Sequence, residues 1–264
     1  MEHFRGLLAL AATASALAVC VASDSPILAR RSAGTILSLG ANQSTNWSGY
    51  NQGLLEKGGT GFHAISARWT VPSATQHTRG QAEASATWIG IGGGCVDAGC
   101  VVGDVTLIQA GTEQDVSASG EASYSTWWEI IPLPQIDAAV PVSPGQTVEV
   151  KIAEVLPEIW SIAIKNLTTG HSFSTLVPYT STYATAEWIE ETPLVISTDS
   201  GAATAALPNL STVAFRAATV NGASANLRPK EKLQLVDGNG HVLATPSDPF
   251  GGNAFNVCTY SGSC

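Results

Sequence analysis

The chain has 264 residues, of which 44% are hydrophobic and only 12% are charged, against about 25% charged in typical soluble proteins. Intrinsic disorder is excluded because it requires low hydrophobicity with high net charge, and this length suits one large domain. The net charge of −9 comes from 21 acidic and 12 basic residues, with no basic cluster larger than Arg30-Arg31, so we expect no nucleic-acid partner.

The low content of charged residues also bears on the pH that the protein tolerates. Paired carboxylates lose their partners' attraction as they protonate between about pH 5 and pH 1. A chain rich in Ser, Thr, Gly and Ala has few such pairs to lose. The composition therefore favours tolerance of acid.

The N-terminal residues 1–23 predict a cleaved secretory signal. A short head carrying Arg5 precedes the apolar stretch Gly6–Ala22, and small residues follow where signal peptidase cleaves. The stretch is too short and too rich in Ala for a strong membrane anchor, so we expect a secreted, extracellular protein without a membrane partner. We predict a short pro-segment or linker over residues 24–40 and a single β-sandwich domain over residues 41–264.

Cleavage of the signal would remove Cys20 and leave four cysteines, an even number that an oxidising compartment favours. Of the three possible pairings, the most local joins Cys95 to Cys100 and Cys258 to Cys264. We predict this pairing because short loops close with the least loss of entropy. Neither spacing is that of a zinc site, and we predict no metal and no other cofactor.

From about Asn42 onward the sequence is dominated by short alternating runs that are typical of β-strands. The predicted strands are Ile65–Val71, Ala86–Ile91, Val105–Ala110, Tyr124–Ile131, Thr147–Leu156, Trp160–Lys165, Ala184–Ile189, Thr212–Val220 and Lys232–Asp237. Turn sequences at Leu167–Gly170 and Asp237–Gly240 join neighbouring runs closely enough to form hairpins. No long amphipathic helix is evident, so the fold class is predicted as all-β, a β-sandwich of two antiparallel sheets.

Four N-glycosylation sequons begin at Asn42, Asn46, Asn166 and Asn209. A glycan requires a surface position. We therefore expect these four residues to lie at the surface if the host glycosylates them.

Four segments, taken in order, resemble the glutamic peptidases, the eqolisin family. They are Ala86–Gly92 (A-T-W-I-G-I-G), Leu107–Gly111 (L-I-Q-A-G), Trp127–Glu129 (W-W-E) and Ala186–Glu190 (A-E-W-I-E). The opening Asn46–Tyr50 and the segment Trp69–Pro72 also resemble that family's first strands. The resemblance implies a secreted acid endopeptidase with polypeptide substrates and a concanavalin A-like β-sandwich fold, and we expect a monomer.

The family's catalytic dyad is a glutamine in an I-L-Q-x-G-type strand and a glutamate in the A-E-W strand. The matching positions in this chain are Gln109 and Glu187. The predicted substrate-binding residues are Trp88, Trp127, Glu129 and Glu113, and of these we place Trp88 and Trp127 on the walls of the cleft.

The residue types suit the chemistry that the resemblance implies. Peptide hydrolysis requires a base to take a proton from water and donors to stabilise the oxyanion. Glu187 can be the base and later donate the proton to the leaving amine, while the Gln109 amide can hold the water and then stabilise the oxyanion. Because glutamine does not titrate, the carboxylate alone sets the working pH, near or below the ordinary value of about 4.3 unless burial raises it.

Because side chains alternate along a strand, the residues around Gln109 and Glu187 can be assigned to one of two faces. Gln109 shares a face with Leu107, and Glu187 shares one with Ile189. Trp188 and Glu190 should point to the opposite face from Glu187. We therefore predict that Trp188 is a core residue and that Glu190 has a structural role.

The chain departs from the family pattern at two positions. Gly92 stands where the family has an aspartate four residues after the cleft tryptophan. Ile131 stands where it has a tyrosine two residues after the glutamate that matches Glu129. We expect both departures to affect substrate preference more than the dyad.

Two other functions are compatible with these residues. Carboxylates flanked by tryptophans on one sheet also describe a concanavalin-like carbohydrate-binding protein or a β-sandwich glycosidase, and an inactive relative could be a surface binding protein. A second carboxylate about 5–9.5 Å across from Glu187 would favour a glycosidase. A glutamine amide that shares a water with Glu187 would favour a peptidase.

Overall fold

The computed structural model describes residues 30–32, 34–197 and 201–264, and these residues are arranged almost entirely in β-strands. The strands are β1 (Arg30–Ser32), β2 (Ser38–Gly40), β3 (Gln43–Ser44), β4 (Trp47–Gly53), β5 (Ala64–Thr70), β6 (Ala74–Thr75), β7 (Glu83–Gly92), β8 (Leu107–Val116), β9 (Ala122–Ile130), β10 (Ile136–Asp137), β11 (Thr147–Leu156), β12 (Ile159–Asn166), β13 (Ser172–Pro178), β14 (Thr185–Glu191), β15 (Leu194–Ser197), β16 (Gly201–Thr204), β17 (Asn209–Leu210), β18 (Val213–Val220), β19 (Ala223–Ser224), β20 (Lys232–Val236), β21 (Val242–Pro246) and β22 (Phe255–Thr259). One 3₁₀ helix spans Pro229–Glu231, and no helix in the described ranges is long and apolar enough to cross a membrane. The predicted signal, residues 1–23, lies outside these ranges.

Two sheets form the body of the protein and confirm the predicted β-sandwich. Sheet I has the strand order β10–β9–β8–β7–β14–β4–β20, and sheet II has the order β13–β12–β11–β5–β18–β22–β21–β20. All of these pairings are antiparallel. Strand β20 joins the sheets, because Lys232 and Leu233 pair with β4 whereas Leu235 and Val236 pair with β21.

The main core lies between the two sheets. Sheet II alternates clearly: in β11, Val148, Val150 and Ile152 are fully buried, while Glu149 and Lys151 face outward. The side chains that meet them from sheet I include Ile89 of β7 and others on the same face. Burying aliphatic and aromatic side chains contributes about 25 cal/mol per Å² of apolar area, so this interface is the main source of stability.

Sheet I differs from sheet II because both faces of its central strands are covered. Every residue of β4, β7 and β14 is buried, including the polar ones. The face turned away from sheet II, which we call the outer face of sheet I, carries a second apolar cluster. Its fully or nearly fully buried members are Trp47, Ala86, Trp88, Leu107, Trp127, Ile189 and Leu233.

One predicted strand differs clearly in its bounds from the observed one. The run Val105–Ala110 was expected as a strand, but β8 begins at Leu107 and continues to Val116. The strand continues through the polar residues after Gly111 because backbone pairing with β7 on one side and β9 on the other holds them in it. The turns at Leu167–Gly170 and Asp237–Gly240 join β12 to β13 and β20 to β21, as predicted.

The cysteine pairing is confirmed: Cys95 is bonded to Cys100, and Cys258 to Cys264. Two of the four sequon asparagines are buried, so glycosylation is not expected at these two positions. Asn46 is 3% exposed and Asn166 is 0% exposed. The Asn166 amide donates to the carbonyl of Pro141 at 2.9 Å, so this side chain fills a structural role that a glycan would prevent.

Candidate active site

Five paired residues form a row across the outer face of sheet I. Asn51 of β4 pairs with Glu187 of β14, Glu187 with Gly90 of β7, Gly90 with Gln109 of β8, and Gln109 with Glu129 of β9. We call these five residues the dyad row. Since neighbouring strands lie about 4.8 Å apart, Glu187 and Gln109 are separated by about 10 Å at Cα, with only a glycine between them.

The predicted division of β14 between two faces is confirmed. Trp188 lies in the core between the sheets, where its Nε1 donates to the carbonyl of Ser66 at 3.2 Å. Glu190 also faces that side, and its carboxyl accepts a hydrogen bond from Thr87 Oγ1 at 2.6 Å. Glu187 is therefore turned to the opposite face from both.

Gln109 and Glu129 are in direct contact. Gln109 Nε2 donates to Glu129 Oε2 at 2.9 Å, and both side chains are fully buried. This bond fixes which end of the Gln109 amide faces Glu129. Glu129 thus orients the Gln109 amide, a contact that the sequence did not indicate.

Glu187 is fully buried, and within the described part of the chain its carboxyl faces the Thr185 hydroxyl but is held by no close hydrogen bond. Burial raises the pKa of Glu187 well above its ordinary value; the Thr185 hydroxyl on the same face offsets part of this rise, and the negative charge of Asp104 adds to it. The sequence predicts a working pKa near or below about 4.3 unless burial intervenes, and burial does intervene. In this covered state the Glu187 carboxyl is neutral in acid.

The predicted tryptophans lie on the same face, in the row next to the dyad row. Ile189, Trp88, Gly111 and Trp127 pair in sequence across the sheet. Gly111 is required there because a Cβ at this position would lie 2.6 Å from the Cβ of Trp88. Trp47 packs edge-on against Trp88, with ring centroids 5.0 Å apart. The structure thus brings Trp88 and Trp127 to the side of the dyad row.

Glu113 shares the outer face but lies apart from the dyad row. It is four residues beyond Gln109 along β8, about 13 Å away at Cα, and it accepts a hydrogen bond from Ser125 Oγ at 3.1 Å. It belongs to another row, paired with Ala86, which in turn pairs with Glu191. Its assignment to substrate binding stays a prediction.

Three polar residues of the site were missed at the sequence level. Asn51 exchanges two hydrogen bonds of 2.8 Å with the backbone of Cys95. Asp104 is 5% exposed and accepts hydrogen bonds from Thr106 and Thr182. Glu191 is fully buried on the face of Glu187. The period of two along β4 and β14 could have identified Asn51 and Glu191, whereas Asp104 lies in a loop where no period applies.

Two segments cover the dyad row. The loop that carries Gly94 passes directly over it, since a Cβ at Gly94 would lie 2.4 Å from Glu187 Oε1. The segment before β2 packs Ile36 against the second apolar cluster and donates from the Ile36 amide to the carbonyl of Gly93 at 2.9 Å. Both segments therefore lie over the outer face of sheet I, which carries the dyad row.

The fold and the site together are a two-sheet β-sandwich with a buried glutamate and a buried glutamine on one sheet face. The Peptidase A4 family matches residues 45–258 of this chain. The chain therefore belongs to the peptidase A4 family, the eqolisins, and it is a peptidase that acts on polypeptides.

Individual relatives agree with the family match. Aspergillopepsin-2 of Aspergillus niger is 25% identical over 227 residues, 77% of this chain and 74% of the relative. The crystal structure of scytalido-glutamic peptidase with a peptide-based transition state analog has a TM-score of 0.62 at 20% identity and covers 81% of this chain and 98% of that one. Aspergilloglutamic peptidase from Aspergillus niger has a TM-score of 0.52 at 23% identity and covers 67% of this chain and 99% of that one. These structures support the fold.

Proposed function

We propose that this protein is a secreted endopeptidase that hydrolyses peptide bonds in acid, with Glu187 and Gln109 acting on a shared water molecule. The observation that carries the proposal is the dyad row. It places a carboxyl and a carboxamide on one face with a glycine between them, so the strand between the two groups contributes no side chain of its own. The edges of Trp88 and Leu107 reach over this glycine, and they would border a water molecule and a scissile carbonyl that enter between Glu187 and Gln109.

The reaction follows from the chemistry of the two groups. The Glu187 carboxylate takes a proton from the water as the water attacks the carbonyl carbon, and the Gln109 amide donates to the oxyanion that forms. The protonated Glu187 then gives its proton to the leaving amine. Glu129 holds the Gln109 amide nitrogen at 2.9 Å, which keeps the amide pre-oriented for this step.

The covered state described above is unsuited to this reaction. The first step requires an ionised Glu187, yet burial raises the pKa of Glu187 well above its ordinary value. Entry of water and substrate would solvate the carboxylate and lower the pKa toward the acid range. We therefore propose that uncovering the outer face of sheet I is what makes the dyad competent.

We further propose that residues 24–40 are a pro-segment that provides part of this cover. Strand β1 pairs with β15, which follows the catalytic strand β14 after two residues. Ile36 packs on the second apolar cluster beside Trp88, and the Leu37 amide donates to Asn46 Oδ1 at 2.8 Å. These contacts tie the segment to the face that a polypeptide must approach.

The register across sheet I favours the peptidase over the glycosidase alternative, because the carboxyl of Asp104 that acts on Glu187 comes from the loop before β8 and not from the strand that faces it. The residue that faces Glu187 across the glycine is a glutamine, and the nearest carboxyl in that direction, Glu129, lies one strand further away and is bonded to that glutamine. The arrangement is the one expected for a shared water between a carboxyl and an amide.

Digestion of a denatured protein at about pH 4 tests the proposed activity. We expect internal cleavage of the polypeptide that withstands both an inhibitor of aspartic peptidases and a chelator, because neither a pair of aspartates nor a metal takes part. Mass spectrometry of the products distinguishes internal cleavage from trimming of the ends. Loss of activity with the chelator alone would contradict the proposal.

Removing residues 1–40 should raise kcat/KM for a peptide substrate relative to the full chain, because the Ile36 contact no longer covers the outer face. The substitution Ile36→Asp in the full chain should act in the same direction, since a charged side chain is costly to bury on an apolar cluster. Leu39→Asp is the matched control, because Leu39 is 58% exposed. Equal activity of the shortened protein and the full chain would show that this segment is not an inhibitory cover.

A further inference from the structure

Glu191 is the last residue of β14 and has no part in the reaction as proposed above. It lies four residues after Glu187 on the same face, about 13 Å away at Cα, which is too far for contact with the reacting atoms. Its side chain is nevertheless fully buried. Burying a carboxyl costs free energy unless it is hydrogen-bonded, so the groups that bond Glu191 indicate its role.

The short hydrogen bond of Glu191 is made to Trp88. Trp88 Nε1 donates to Glu191 Oε2 at 2.8 Å. The other oxygen, Oε1, has longer contacts of 3.4 Å with the Gly34 amide and 3.5 Å with Asn46 Nδ2. Burial raises the pKa of Glu191 well above its ordinary value, so in acid the group is neutral and still offers a carbonyl oxygen as an acceptor.

The opposite edge of the same indole reaches the dyad row. Trp88 Cζ3 lies 2.9 Å from the position that a Cβ on Gly90 would occupy. Gly90 is the residue between Glu187 and Gln109. The ring therefore spans from the Glu191 carboxyl at one edge to the catalytic gap at the other. Because an indole is rigid, fixing its N–H also fixes the position of its far edge.

We propose that Glu191 is a positioning residue, which holds the Trp88 indole so that its far edge lines the gap between Glu187 and Gln109. Trp47 supports the ring from the side in an edge-on contact at 77°, and its own indole also faces the Glu191 carboxyl. The hydrogen bond from Trp88 Nε1 to Glu191 adds the one polar contact that fixes the angle of the indole within this apolar packing. This inference rests on the proposed function, because it assumes that the gap is where water reacts.

A double-mutant cycle between Glu191 and Trp88 tests the inference. Each variant is made as the full chain and assayed for peptide hydrolysis after the same incubation in acid. Glu191→Ala should lower kcat by about 10- to 100-fold with a smaller change in KM, since a misplacement of about 1 Å near reacting groups can cost 10²-fold. Trp88→Phe removes the N–H and should also lower kcat. The double variant should be scarcely slower than the slower single variant, because both changes break one interaction.

Two further variants separate positioning from general support of the fold. Glu191→Gln retains an acceptor oxygen and should keep kcat within about threefold of the unaltered protein, where the Ala variant does not. Glu190→Ala removes an equally buried carboxyl that bonds Thr87 on the other face, and its effect should add to that of Trp88→Phe. Thermal unfolding of every variant reports losses of stability separately.

Additive losses of kcat in the Glu191→Ala and Trp88→Phe cycle would overturn the inference, and so would a Glu191→Ala variant that unfolds at lower temperature but keeps its kcat. If Glu191→Ala does not fold, the variants Glu191→Gln and Trp88→Phe decide. The inference then requires that Glu191→Gln keeps kcat and that Trp88→Phe lowers it, because only the second change removes the hydrogen bond. Failure of the proposed function is recognised independently. A Glu187→Gln variant that still hydrolyses peptides would refute the dyad mechanism, whatever the Glu191 variants show.

Discussion

Replacing Glu187 by Gln, or Gln109 by Ala, is expected to remove nearly all peptide hydrolysis while the fold remains intact. Loss of one oxyanion donor alone typically costs about 10²–10³ in rate, and loss of the base removes the proton transfer as well. The fold should survive Glu187→Gln because the carboxyl is buried and neutral in acid, so an amide of the same shape replaces it. The measurement is kcat/KM at about pH 4, with circular dichroism to monitor the fold.

The combination of both changes provides a second, sharper readout. Residues that act as a unit are strongly non-additive, so the double variant should be scarcely worse than either single one. Glu190→Gln is the matched control, because its carboxyl is equally buried but lies on the opposite face of β14. It should retain much more activity than Glu187→Gln. Substantial proteolysis by a folded Glu187→Gln variant would refute the dyad and direct attention to Glu129 and Glu113.

Much of the fold could be predicted because sheet II has one buried and one solvated face. Strand β11 was predicted with its correct bounds, Thr147–Leu156, since apolar and polar residues alternate along it. Strand β4, W-S-G-Y-N-Q-G, shows no such alternation, and all seven of its residues are buried. Only its resemblance to a family strand indicated it. Periodicity identifies a strand when its two faces differ in environment, and both faces of β4 are covered.

The candidate site could be predicted in part for a related reason. The period of two within a strand correctly placed Glu187 and Trp188 on opposite faces. Periodicity gives no register between strands, so it could not show that Gly90 lies between Glu187 and Gln109 or that Glu191 meets Trp88. Contacts from loops are less predictable still. Asp104 and Ile36 reach the site through chain segments whose paths depend on tertiary packing.

Three of the fully buried carboxyl groups, those of Glu187, Glu190 and Glu191, also make the stability of the protein depend on pH. Burial raises the pKa of each, for Glu190 to about 8 and for the other two well above the ordinary value. In the unfolded chain each would titrate near about 4.3. Between that value and the raised pKa, the folded protein binds more protons than the unfolded chain, so stability decreases as pH rises, by about 1.4 kcal/mol per pH unit for each group.

We therefore expect the protein to be most stable near or below about pH 4 and to lose stability steadily as the pH rises toward 8, the approximate pKa of Glu190. Stabilising pairs that acid would remove, such as Glu149 with Arg68 at 2.8 Å, lie near the surface and contribute little in comparison. Urea unfolding between these pH values measures the slope. In Glu190→Gln, which cannot ionise at this position, the free energy of unfolding should fall less steeply with pH, by about 1.4 kcal/mol per pH unit. This variant should also be more stable at neutral pH than the unaltered protein. A free energy of unfolding that stays constant or increases from acid to neutral pH would show that these carboxyl groups are hydrated in solution. For Glu187 and Glu191, this would mean that the outer face of sheet I is open there.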